Sequence, residues 1–479
     1  MVARNSPLQQ SVNWLKPGLC YVGKVEDRGT EKTFGILNED RLRHIHVIGK
    51  TGMGKSTLLE NMVLQDIYNG EGAGFIDPHG ESVKHILDRI PPHRYQDVVY
   101  FNPADIEYPI GFNILSDRDG EPKFLIVSGV ISIFKKIWRD MWSARMEYIL
   151  NNALLAVMDS PDNTLLSVLR MFTDNQFKHR IIKRIKDPLV LNFWTKEYFK
   201  WSEGYRLEAV AAIQNKIGQF FNSAVIRYIL GQAESAFSLS ELMDNRKILL
   251  VNLSKGEIGE DASKLLGSML VTKLQLSAMS RSRQGNLQQK PNFYLYIDEF
   301  QNFVTDSFAT ILSEARKYKL SLIVAHQYMG QLEETPNQNI LKALLGNAGT
   351  NIVFNLGAVD AELLANEFMP FFQKSDLMYL NKGQVVIKML VRGQHTTPFL
   401  ATTLPPMFQD YGGNEYQVIS HSRQTYGRPK EMVARTIEAW LENRIPVPKS
   451  SLLTRLNSQS SPHLVTEPLS SKAISNENS

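Results

Sequence analysis

Between residues 43 and 101, the apolar positions alternate between short continuous runs and helical spacing. The runs predict three strands, and the segments between them predict two helices. In chain order, the pattern predicts a strand at 45–48, a helix from 55 to about 69, a strand at 73–76, a helix at 81–90 and a strand at 98–101. Strands that alternate with helices are typical of a parallel sheet covered by helices.

The segment from about Glu121 to Glu234 has a different pattern, because its apolar positions follow helical spacing and almost nothing alternates with period two. The spacing predicts helices at 126–142, 144–158, 165–172, 176–185 and 206–221. Four of the six tryptophans of the chain lie in this block. The pattern therefore predicts an all-helical domain inserted into an α/β chain.

Apolar runs typical of strands resume near residue 247 and continue to residue 390. They predict strands at 247–253, 293–297, 320–325, 351–355 and 383–390, with helices at 262–279 and 308–318. Past Pro405 the chain is rich in turn residues, and one further helix is predicted at 429–442. The expected fold class is α/β, with a mostly parallel central sheet and an inserted all-α domain.

These changes of pattern predict six segments along the chain. They are a strand-rich lead-in at 1–40, the first part of the nucleotide-binding domain at 41–120, the helical domain at 121–235, the second part of the nucleotide-binding domain at 236–410, a helical arm at 411–448 and a disordered tail at 449–479. The tail is rich in serine and poor in large apolar residues, so it cannot bury enough surface to fold alone.

Composition narrows the class of protein only moderately. The chain has 479 residues, 43% hydrophobic and 21% charged, which suits a globular protein of two or three domains. A single cysteine excludes an internal disulfide framework and suits a reducing cytoplasm. No signal peptide and no apolar run of membrane-spanning length is found. We therefore expect a cytoplasmic protein, which another subunit could recruit to the inner face of the membrane.

The net charge of +4 is too small to indicate nucleic-acid binding by itself. Its distribution is more informative, because the helical block has 16 Lys and Arg against 11 Asp and Glu. The densest basic run joins Lys178, His179 and Arg180 to Lys183, Arg184 and Lys186. This run is either a solvated helix face or a phosphate-contacting surface, and the sequence favours neither. The polar, basic loop at 280–291 is either a surface connection or a pore loop that touches a strand of nucleic acid.

The stretch from Arg43 to Leu59 reads RHIHVIGKTGMGKSTLL and matches the full phosphate-binding loop pattern between a strand and a helix. In such a loop, glycines let backbone N–H groups face a triphosphate, the lysine contacts its outer phosphates and the serine hydroxyl holds Mg²⁺. The predicted nucleotide-binding residues are Gly49, Lys50, Thr51, Gly52, Met53, Gly54, Lys55, Ser56 and Thr57. The sequence thus predicts a site for a nucleoside triphosphate with Mg²⁺.

Hydrolysis needs further groups, and two predicted strand ends supply them. Asp298 and Glu299 follow the apolar run FYLYI, where the first carboxylate can hold Mg²⁺ and the second can activate water. Gln327 ends the next apolar strand, on the carboxyl edge that a parallel sheet shares with the loop. An amide there can sense the γ-phosphate or position water, although a surface glutamine is the alternative.

Three further residues are candidates with two interpretations each. Arg316 is either a solvated helix charge or an arginine finger that reaches the phosphates bound by a neighbouring subunit. Asp77 and His79 follow another strand, where they either line the nucleotide pocket or cap a helix. For His79, a structural role is the expected one.

In combination, these motifs resemble the HerA–FtsK superfamily and, within it, the conjugative coupling ATPases of type IV secretion. The resemblance covers roughly residues 19–445 and is carried by GKTGMGKST, DPHGE, the helical block, NRKILLVNLSKG, YIDEF and AHQ. It implies a RecA-like P-loop NTPase fold, with ATP and Mg²⁺ as cofactors. It also implies a homo-hexameric ring that passes DNA through a central channel.

The resemblance implies one role for each candidate residue by position. The roles are phosphate and Mg²⁺ binding for Lys55 and Ser56, the Walker B pair for Asp298 and Glu299, the sensor for Gln327 and a finger acting in trans for Arg316. One feature departs from the family, because membrane-bound coupling proteins have N-terminal transmembrane helices and none is found here. A relative recruited by a separate membrane subunit, or a soluble relative, fits this departure better.

The expected function is an ATPase that translocates DNA as the coupling motor of a conjugation-like type IV transfer system. Its expected partners are DNA, further copies of the chain and possible relaxase, membrane-anchor or secretion-channel subunits. One alternative is a HerA-like translocase that processes DNA ends with a nuclease, although the long helical insertion disfavours it. A second alternative is a nucleotide-gated adaptor that recruits secretion substrates without acting as a motor.

Overall fold

The computed structural model describes residues 16–305, 308–333, 339–407 and 413–442. The predicted tail at 449–479 and the first 15 residues of the lead-in lie outside these ranges. The strands are β1 (Leu19–Asp27), β2 (Thr30–Leu37), β3 (Ile45–Ile48), β4 (Gly72–Asp77), β5 (Val98–Phe101), β6 (Ile248–Asn252), β7 (Phe293–Ile297), β8 (Leu320–His326), β9 (Thr350–Val353), β10 (Gln384–Lys388), β11 (Leu390–Val391), β12 (Gln394–His395) and β13 (Phe399–Thr403).

Within the described residues, eleven of these strands form one sheet, in the order β2-β1-β13-β10-β9-β3-β8-β7-β4-β6-β5. The strands from β9 to β5 in that order run parallel to their neighbours. The four remaining strands, at the β2 side, pair antiparallel. The prediction of a mostly parallel central sheet is therefore confirmed.

The described residues also form helices, and one long segment between two strands contains helices only. They are α1 (Asn38–Arg41), α2 (Lys55–Tyr68), α3 (Glu81–Asp88), α4 (Lys123–Ile137), α5 (Ala144–Met158), α6 (Leu165–Thr173), α7 (Asn175–Ile182), α8 (Pro188–Asn192), α9 (Glu203–Asn222), α10 (Ala224–Leu230), α11 (Leu239–Asp244), α12 (Lys255–Ile258), α13 (Glu260–Arg281), α14 (Phe308–Glu314), α15 (Gly330–Glu333), α16 (Asn339–Asn347), α17 (Ala358–Phe368), α18 (Lys374–Met378), α19 (Glu415–Tyr426) and α20 (Lys430–Leu441). Helices α4 to α10 lie between β5 and β6, as expected for an inserted all-α domain.

The central parallel strands are buried along their whole length, which explains why their sequences read as continuous apolar runs. Both faces of such strands are covered by helices, so alternation between apolar and polar residues is not required. Apolar side chains of α2 and α3 join β3, β4 and β7 in one core on one side of the sheet. This core fixes the relative positions of the strand ends that carry the candidate site.

Two elements near the end of the chain were not predicted. Strand β13 lies between β1 and β10 and connects the N-terminal hairpin β1–β2 to the sheet. Helix α19 lies in the predicted helical arm at 411–448, before the one helix expected there, and only Val418 and Ser422 of α19 are buried. The Ser422 hydroxyl accepts a 2.9 Å hydrogen bond from the backbone N–H of Tyr100 in edge strand β5. Because most residues of α19 are polar, the periodic pattern of its apolar residues is too weak for the helix to be recognised from the sequence.

The predicted helices of the inserted block are also partly corrected. The helix expected at 126–142 ends at Ile137, and the short helices α8 and α10 were missed. The helix expected at 308–318 is α14 followed by a tight turn at Ala315–Tyr318. The boundaries of the six segments stay predictions.

A buried ion pair fixes α1 and α2 against the sheet. The Arg41 guanidinium donates to both carboxylate oxygens of Asp66 at 2.7 Å and to the Tyr296 hydroxyl at 2.6 Å. The Tyr296 hydroxyl donates in turn to Asp66, and the guanidinium lies 3.9 Å from the centre of the Tyr294 ring. The Nε atom of Arg41 has no hydrogen-bond partner, but the bidentate geometry pairs each charge with its counter-ion, so the pair is stable where a single buried charge would not be.

Replacing Asp66 by alanine leaves Arg41 buried without its counter-ion. We expect the free energy of unfolding to fall by about 3–5 kcal/mol. The matched control is Asp27→Ala, which removes one partner of the exposed Lys32–Asp27 pair and costs less than about 1 kcal/mol. Urea unfolding followed by circular dichroism measures both variants. Equal stability losses in the two variants would contradict this interpretation.

Candidate functional site

The phosphate-binding loop connects the end of β3 to the start of α2. Gly49 follows Ile48 and passes so close to Phe354 that an added Cβ would lie 2.4 Å from the Phe354 Cβ atom. Gly54, the last residue before α2, has a φ of 114°, a conformation that favours glycine. The loop therefore needs its glycines both for close packing and for the turn into the helix.

The Lys55 side chain lies within the loop rather than in solvent. Its ammonium donates to the backbone carbonyls of Gly49 at 2.6 Å and Lys50 at 3.1 Å. Burial lowers the pKa of Lys55, and the negative charges of Asp298 and Glu299 offset part of that effect. The lysine is thus close to both predicted acids as well as to the loop backbone.

The structure brings the loop and the acid pair into direct contact. The Ser56 hydroxyl, in the first turn of α2, donates a 2.9 Å hydrogen bond to Asp298 Oδ2 at the end of β7. Burial raises the pKa of Asp298, with Asp77 adding to this effect and the hydrogen bond from Ser56 opposing it. Ser56 and Asp298 therefore form the oxygen pair that the sequence proposed for Mg²⁺.

The Glu299 carboxylate is contacted by side chains from four different segments. It accepts a 2.5 Å hydrogen bond from Gln327 Nε2 at the end of β8, and it lies 3.1 Å from His79 Nε2. On its other oxygen, it lies 3.7 Å from Lys255 Nζ and accepts a 3.4 Å hydrogen bond from Asn302. The backbone of Glu299 has a φ of 43°, which is uncommon for a non-glycine residue and is a form of strain that clusters at functional sites.

These contacts decide the charge of Glu299. Burial raises the pKa of Glu299, but the contacts with His79, Lys255 and Gln327 outweigh burial. The resulting pKa lies below the ordinary value, so the side chain is a carboxylate at neutral pH. An ionised carboxylate beside a glutamine amide is suited to orient and deprotonate a water molecule.

Gln327 is held in place by a buried pair of histidines. His326, the last residue of β8, lies with its Nε2 atom 2.7 Å from His46 Nε2 on β3. His46 also contacts Asn351 Oδ1 at 3.0 Å, on β9. The pair spans the three strands β9, β3 and β8, so it fixes the strand end that presents Gln327 next to the loop.

Of the two residues with open roles after β4, Asp77 is structural and His79 is not. The Asp77 carboxylate accepts hydrogen bonds from the backbone N–H groups of His79 at 2.8 Å and Val83 at 3.2 Å, as a helix-capping residue does. The His79 ring is about half exposed and contacts Glu299. The expectation of a structural histidine is therefore wrong, because the side chain faces the site rather than the core.

Arg316 lies at the opposite edge of the sheet from the loop. It belongs to the turn at Ala315–Tyr318 that precedes β8, and its side chain is exposed. Burial is the main cause that lowers the pKa of His44, which precedes β3, and the positive charge of Arg316 lowers it further. Because β8 has seven residues, Arg316 is about 20 Å from the carboxyl edge of its own sheet. It cannot act on the site of its own subunit.

The basic run of the helical block is divided between core and solvent. Lys178 is buried, donates to Asn175 Oδ1 at 3.1 Å and lies 5.4 Å from the centre of the Tyr198 ring. The exposed members of the run are His179, Arg180, Lys183, Arg184 and Lys186. Part of this run is therefore structural, and the rest is an exposed basic surface for which both interpretations stay open.

The donor set of the site suits a nucleotide-bound Mg²⁺ rather than a metal held by protein alone. Among the described residues, no cluster of three or more His, Cys, Asp or Glu side chains could hold a metal ion. In P-loop sites, Mg²⁺ takes one hydroxyl, one carboxylate, water and phosphate oxygens. Ser56 and Asp298, in contact beside the loop, fit this requirement.

Comparison with known proteins agrees with the geometry of the site. The model of the family "type IV secretion-system coupling protein DNA-binding domain" matches residues 33–369, more than half of the chain. The chain belongs to this family. No curated protein matches the sequence.

Solved structures of coupling proteins share the fold of this chain. The bacterial conjugative coupling protein TrwBdeltaN70 in its unbound form is 14% identical, with a TM-score of 0.59, over 79% of this chain and 89% of TrwB. TrwB in complex with ADP and Mg²⁺ is 13% identical, with a TM-score of 0.58, over 84% and 98%. VirB4 of Thermoanaerobacter pseudethanolicus is 16% identical, with a TM-score of 0.51, over 84% and 99%.

The predicted fold and family are thus confirmed. This chain has a RecA-like P-loop α/β fold with a helical insertion. None of the helices in the described part of the chain is both long and apolar enough to cross a lipid bilayer. The roles of the individual site residues remain predictions. The contacts and distances in the site are compatible with them.

The buried histidines predict sensitivity to acid. Burial lowers the pKa of His46 from 6.5 to about 4, and burial together with the neighbouring His46 lowers the pKa of His326 further. Below pH 6.5, the unfolded chain binds protons that the folded chain excludes, so the free energy of unfolding falls as the pH falls. Between pH 6.5 and 5, we expect a loss of about 1.6 kcal/mol for each such histidine.

Urea unfolding at several pH values measures this loss, with His46→Asn as the test variant. The variant should lose less stability than the parent between pH 7 and 5, whatever its stability at pH 7. The control is His395→Gln on exposed strand β12, which should keep the slope of the parent. If the free energy of unfolding of His46→Asn depended on pH as strongly as that of the parent, His46 would not be a cause of the acid sensitivity.

Proposed function

We propose that this chain is an Mg²⁺-dependent ATPase that couples ATP hydrolysis to DNA translocation, as the coupling motor of a conjugation-like type IV transfer system. The observation that carries the proposal is the arrangement of Ser56 and Asp298, in contact at 2.9 Å, beside Glu299 and Gln327, in contact at 2.5 Å. Membership of the coupling-protein family supports DNA as the substrate.

Each group has one task in the proposed reaction. ATP bound with Mg²⁺ would supply the γ-phosphoryl group and the cation that neutralises its charge. Lys55 and the loop N–H groups orient the phosphates, while Ser56 and Asp298 provide the protein ligands of the cation. Glu299 accepts a proton from the attacking water, and Gln327 holds that water and the carboxylate in line.

The position of Arg316 supports a ring rather than a monomer as the active form. A P-loop ATPase gains from an arginine near the γ-phosphate, because the planar guanidinium offsets charge that develops during transfer. Arg316 is exposed and about 20 Å from the carboxyl edge of its own sheet. We therefore propose that it acts in trans, in a homo-hexamer whose further partners are a relaxase and a membrane-anchor or secretion-channel subunit.

The two alternative functions are less well supported. A DNA-end-processing translocase would share the loop and the acids, but the family match through residue 369 includes the helical insertion and favours the coupling proteins. A non-motor adaptor would need nucleotide binding without hydrolysis. The ionised Glu299 beside Gln327 is an arrangement for hydrolysis, so it favours the motor.

Glu299→Gln should abolish hydrolysis and keep nucleotide binding. The amide cannot accept the proton of water, and a general base contributes about 10²–10⁴-fold, so the steady-state ATPase rate should fall at least about 100-fold. The matched control is Glu257→Gln, because Glu257 pairs with Lys84 away from the loop. A phosphate-release assay and a fluorescent ATP analogue measure the two properties. A Glu299→Gln variant with normal turnover would overturn the proposed role.

A mixing experiment tests the action of Arg316 in trans. Arg316→Ala and Lys55→Ala should each be inactive alone, since every interface then lacks the finger or the phosphate lysine. Mixed rings contain some interfaces with both residues intact, so mixing should restore part of the ATPase rate. Lys317→Ala, on the same exposed turn, is the control and should stay active alone. Absence of recovery in rings shown to exchange subunits would exclude a trans finger.

A further inference from the structure

A cleft of about 590 Å³ lies between the end of α4 in the helical block and the strand ends that carry Glu299 and Gln327. Its lining residues come from the segment 135–142 of the helical block and, in the rest of the chain, from α12 and α13, the 299–304 turn and the segment 327–331. The cleft is therefore a place where the inserted domain and the catalytic edge face the same ligand.

The cleft is strongly basic. Five of its lining side chains are cationic, whereas two, Asp261 and Glu299, are carboxylates. The cationic residues are Lys135, Lys136, Arg139, Lys255 and Lys264. Such an excess of one sign in a concave, partly desolvated surface attracts a polyanion and repels a second cation.

Aromatic side chains accompany the charges. Trp142 lines the cleft, with its ring 6.4 Å from that of Trp138 and nearly parallel to it. Tyr328, directly after Gln327, also lines the cleft and is 47% exposed. Cations that track phosphates next to rings on which bases stack are the arrangement found in proteins that bind single-stranded nucleic acid.

Two of the cationic residues hold the turn that carries Glu299. Lys136 donates to the backbone carbonyls of Gln301 at 3.1 Å and Asn302 at 2.9 Å. Lys255 donates to Asn302 Oδ1 at 3.2 Å and lies 3.7 Å from Glu299 Oε2. A phosphate that attracts either lysine must therefore change the contacts of the catalytic turn.

We propose that this cleft binds the phosphate backbone of a single strand of nucleic acid, and that Lys255 transmits its presence to Glu299. The proposal rests on the proposed function, and it deepens it by placing the nucleic-acid contact beside the catalytic carboxylate. Phosphates compete with Glu299 for Lys255, which frees the carboxylate to turn towards water. Lys255 is a positioning residue in this account, because it acts on hydrolysis through Glu299.

The size of the cleft favours a single strand over a duplex. A volume of about 590 Å³ is within the range of pockets that hold one small ligand, so it can hold a short piece of a single strand but not a duplex, whose major groove alone is about 12 Å wide. The basic loop at 280–291 is a weaker candidate, since Arg281 and Lys290 are both paired with Asp244 at 2.7 Å. The cleft, by contrast, is lined by Lys255, which contacts the catalytic Glu299 directly.

The first experiment measures DNA affinity without nucleotide, so its result does not depend on ATPase activity. The test variant is the double substitution Lys135→Ala/Arg139→Ala, two exposed side chains whose removal leaves the hydrogen bonds of Lys136 in place. A labelled single-stranded oligonucleotide is titrated at several salt concentrations by fluorescence anisotropy. The slope of log affinity against log salt should become shallower by about 0.7 for each phosphate that the variant no longer neutralises.

The matched control is Lys183→Ala/Arg184→Ala, which removes the same charge from the exposed basic run of the helical block. It should change the affinity and the slope less than the cleft variant does. Equal or larger effects in this control would overturn the proposal in favour of the basic run. Equal reductions in affinity for a labelled duplex and for the single strand would overturn the assignment to a single strand.

The second experiment tests transmission through Lys255. In Lys255→Met, the ratio of the ATPase rate with single-stranded DNA to the rate without it should fall towards one, while Lys255→Arg should keep most of the ratio. A purely structural lysine would lower both rates and leave their ratio unchanged, which would overturn the role. If the parent protein hydrolyses no ATP, the proposed function fails, whereas the affinity experiment still decides whether the cleft binds DNA.

Discussion

The hydrogen-bond register of four neighbouring parallel strands determines where every candidate group of the site lies. Strand β3 pairs with β8 so that Ile48 is opposite His326, and β7 pairs with β4 so that Ile297 is opposite Ile76. The loop, the acid pair, Gln327 and His79 therefore leave the sheet at one edge. A slip of one residue in any of these pairs would turn the buried side chains of that strand to the other face.

The helical insertion is attached to the rest of the α/β chain by polar contacts as well as by packing. Asp119, just before α4, accepts hydrogen bonds from the hydroxyls of Ser238, Ser240 and Ser277. Near it, Lys273 on α13 forms a buried 3.0 Å ion pair with Glu121. Buried polar groups with several partners are costly to rearrange, so they fix the point at which the chain enters the insertion. The orientation of α4 over the catalytic turn follows from this attachment.

Local patterns explain why the loop and the acids could be predicted from sequence. A phosphate-binding loop and a strand that ends in two carboxylates are contiguous, and each needs particular residue types at fixed spacing. His79 and Lys255 have no such spacing, because they contact Glu299 only after β4, β6 and β7 have paired in the sheet. Strand β13 is a similar case, since its role as the connection between β1 and β10 depends on long-range pairing. Their contribution becomes visible only in three dimensions.

The contacts of Glu299 have a consequence for how the site responds to its surroundings. Its partners come from the ends of β4, β6 and β8 and from its own turn, so movement of any one of these segments alters the same carboxylate. Buried carboxylates respond strongly to such changes, because the low local dielectric magnifies each charge and hydrogen bond. A site built this way is well suited to sense a ligand in the adjacent cleft through one lysine. Coupling between nucleic-acid contact and hydrolysis then requires only the displacement of a side chain, without rearrangement of the sheet.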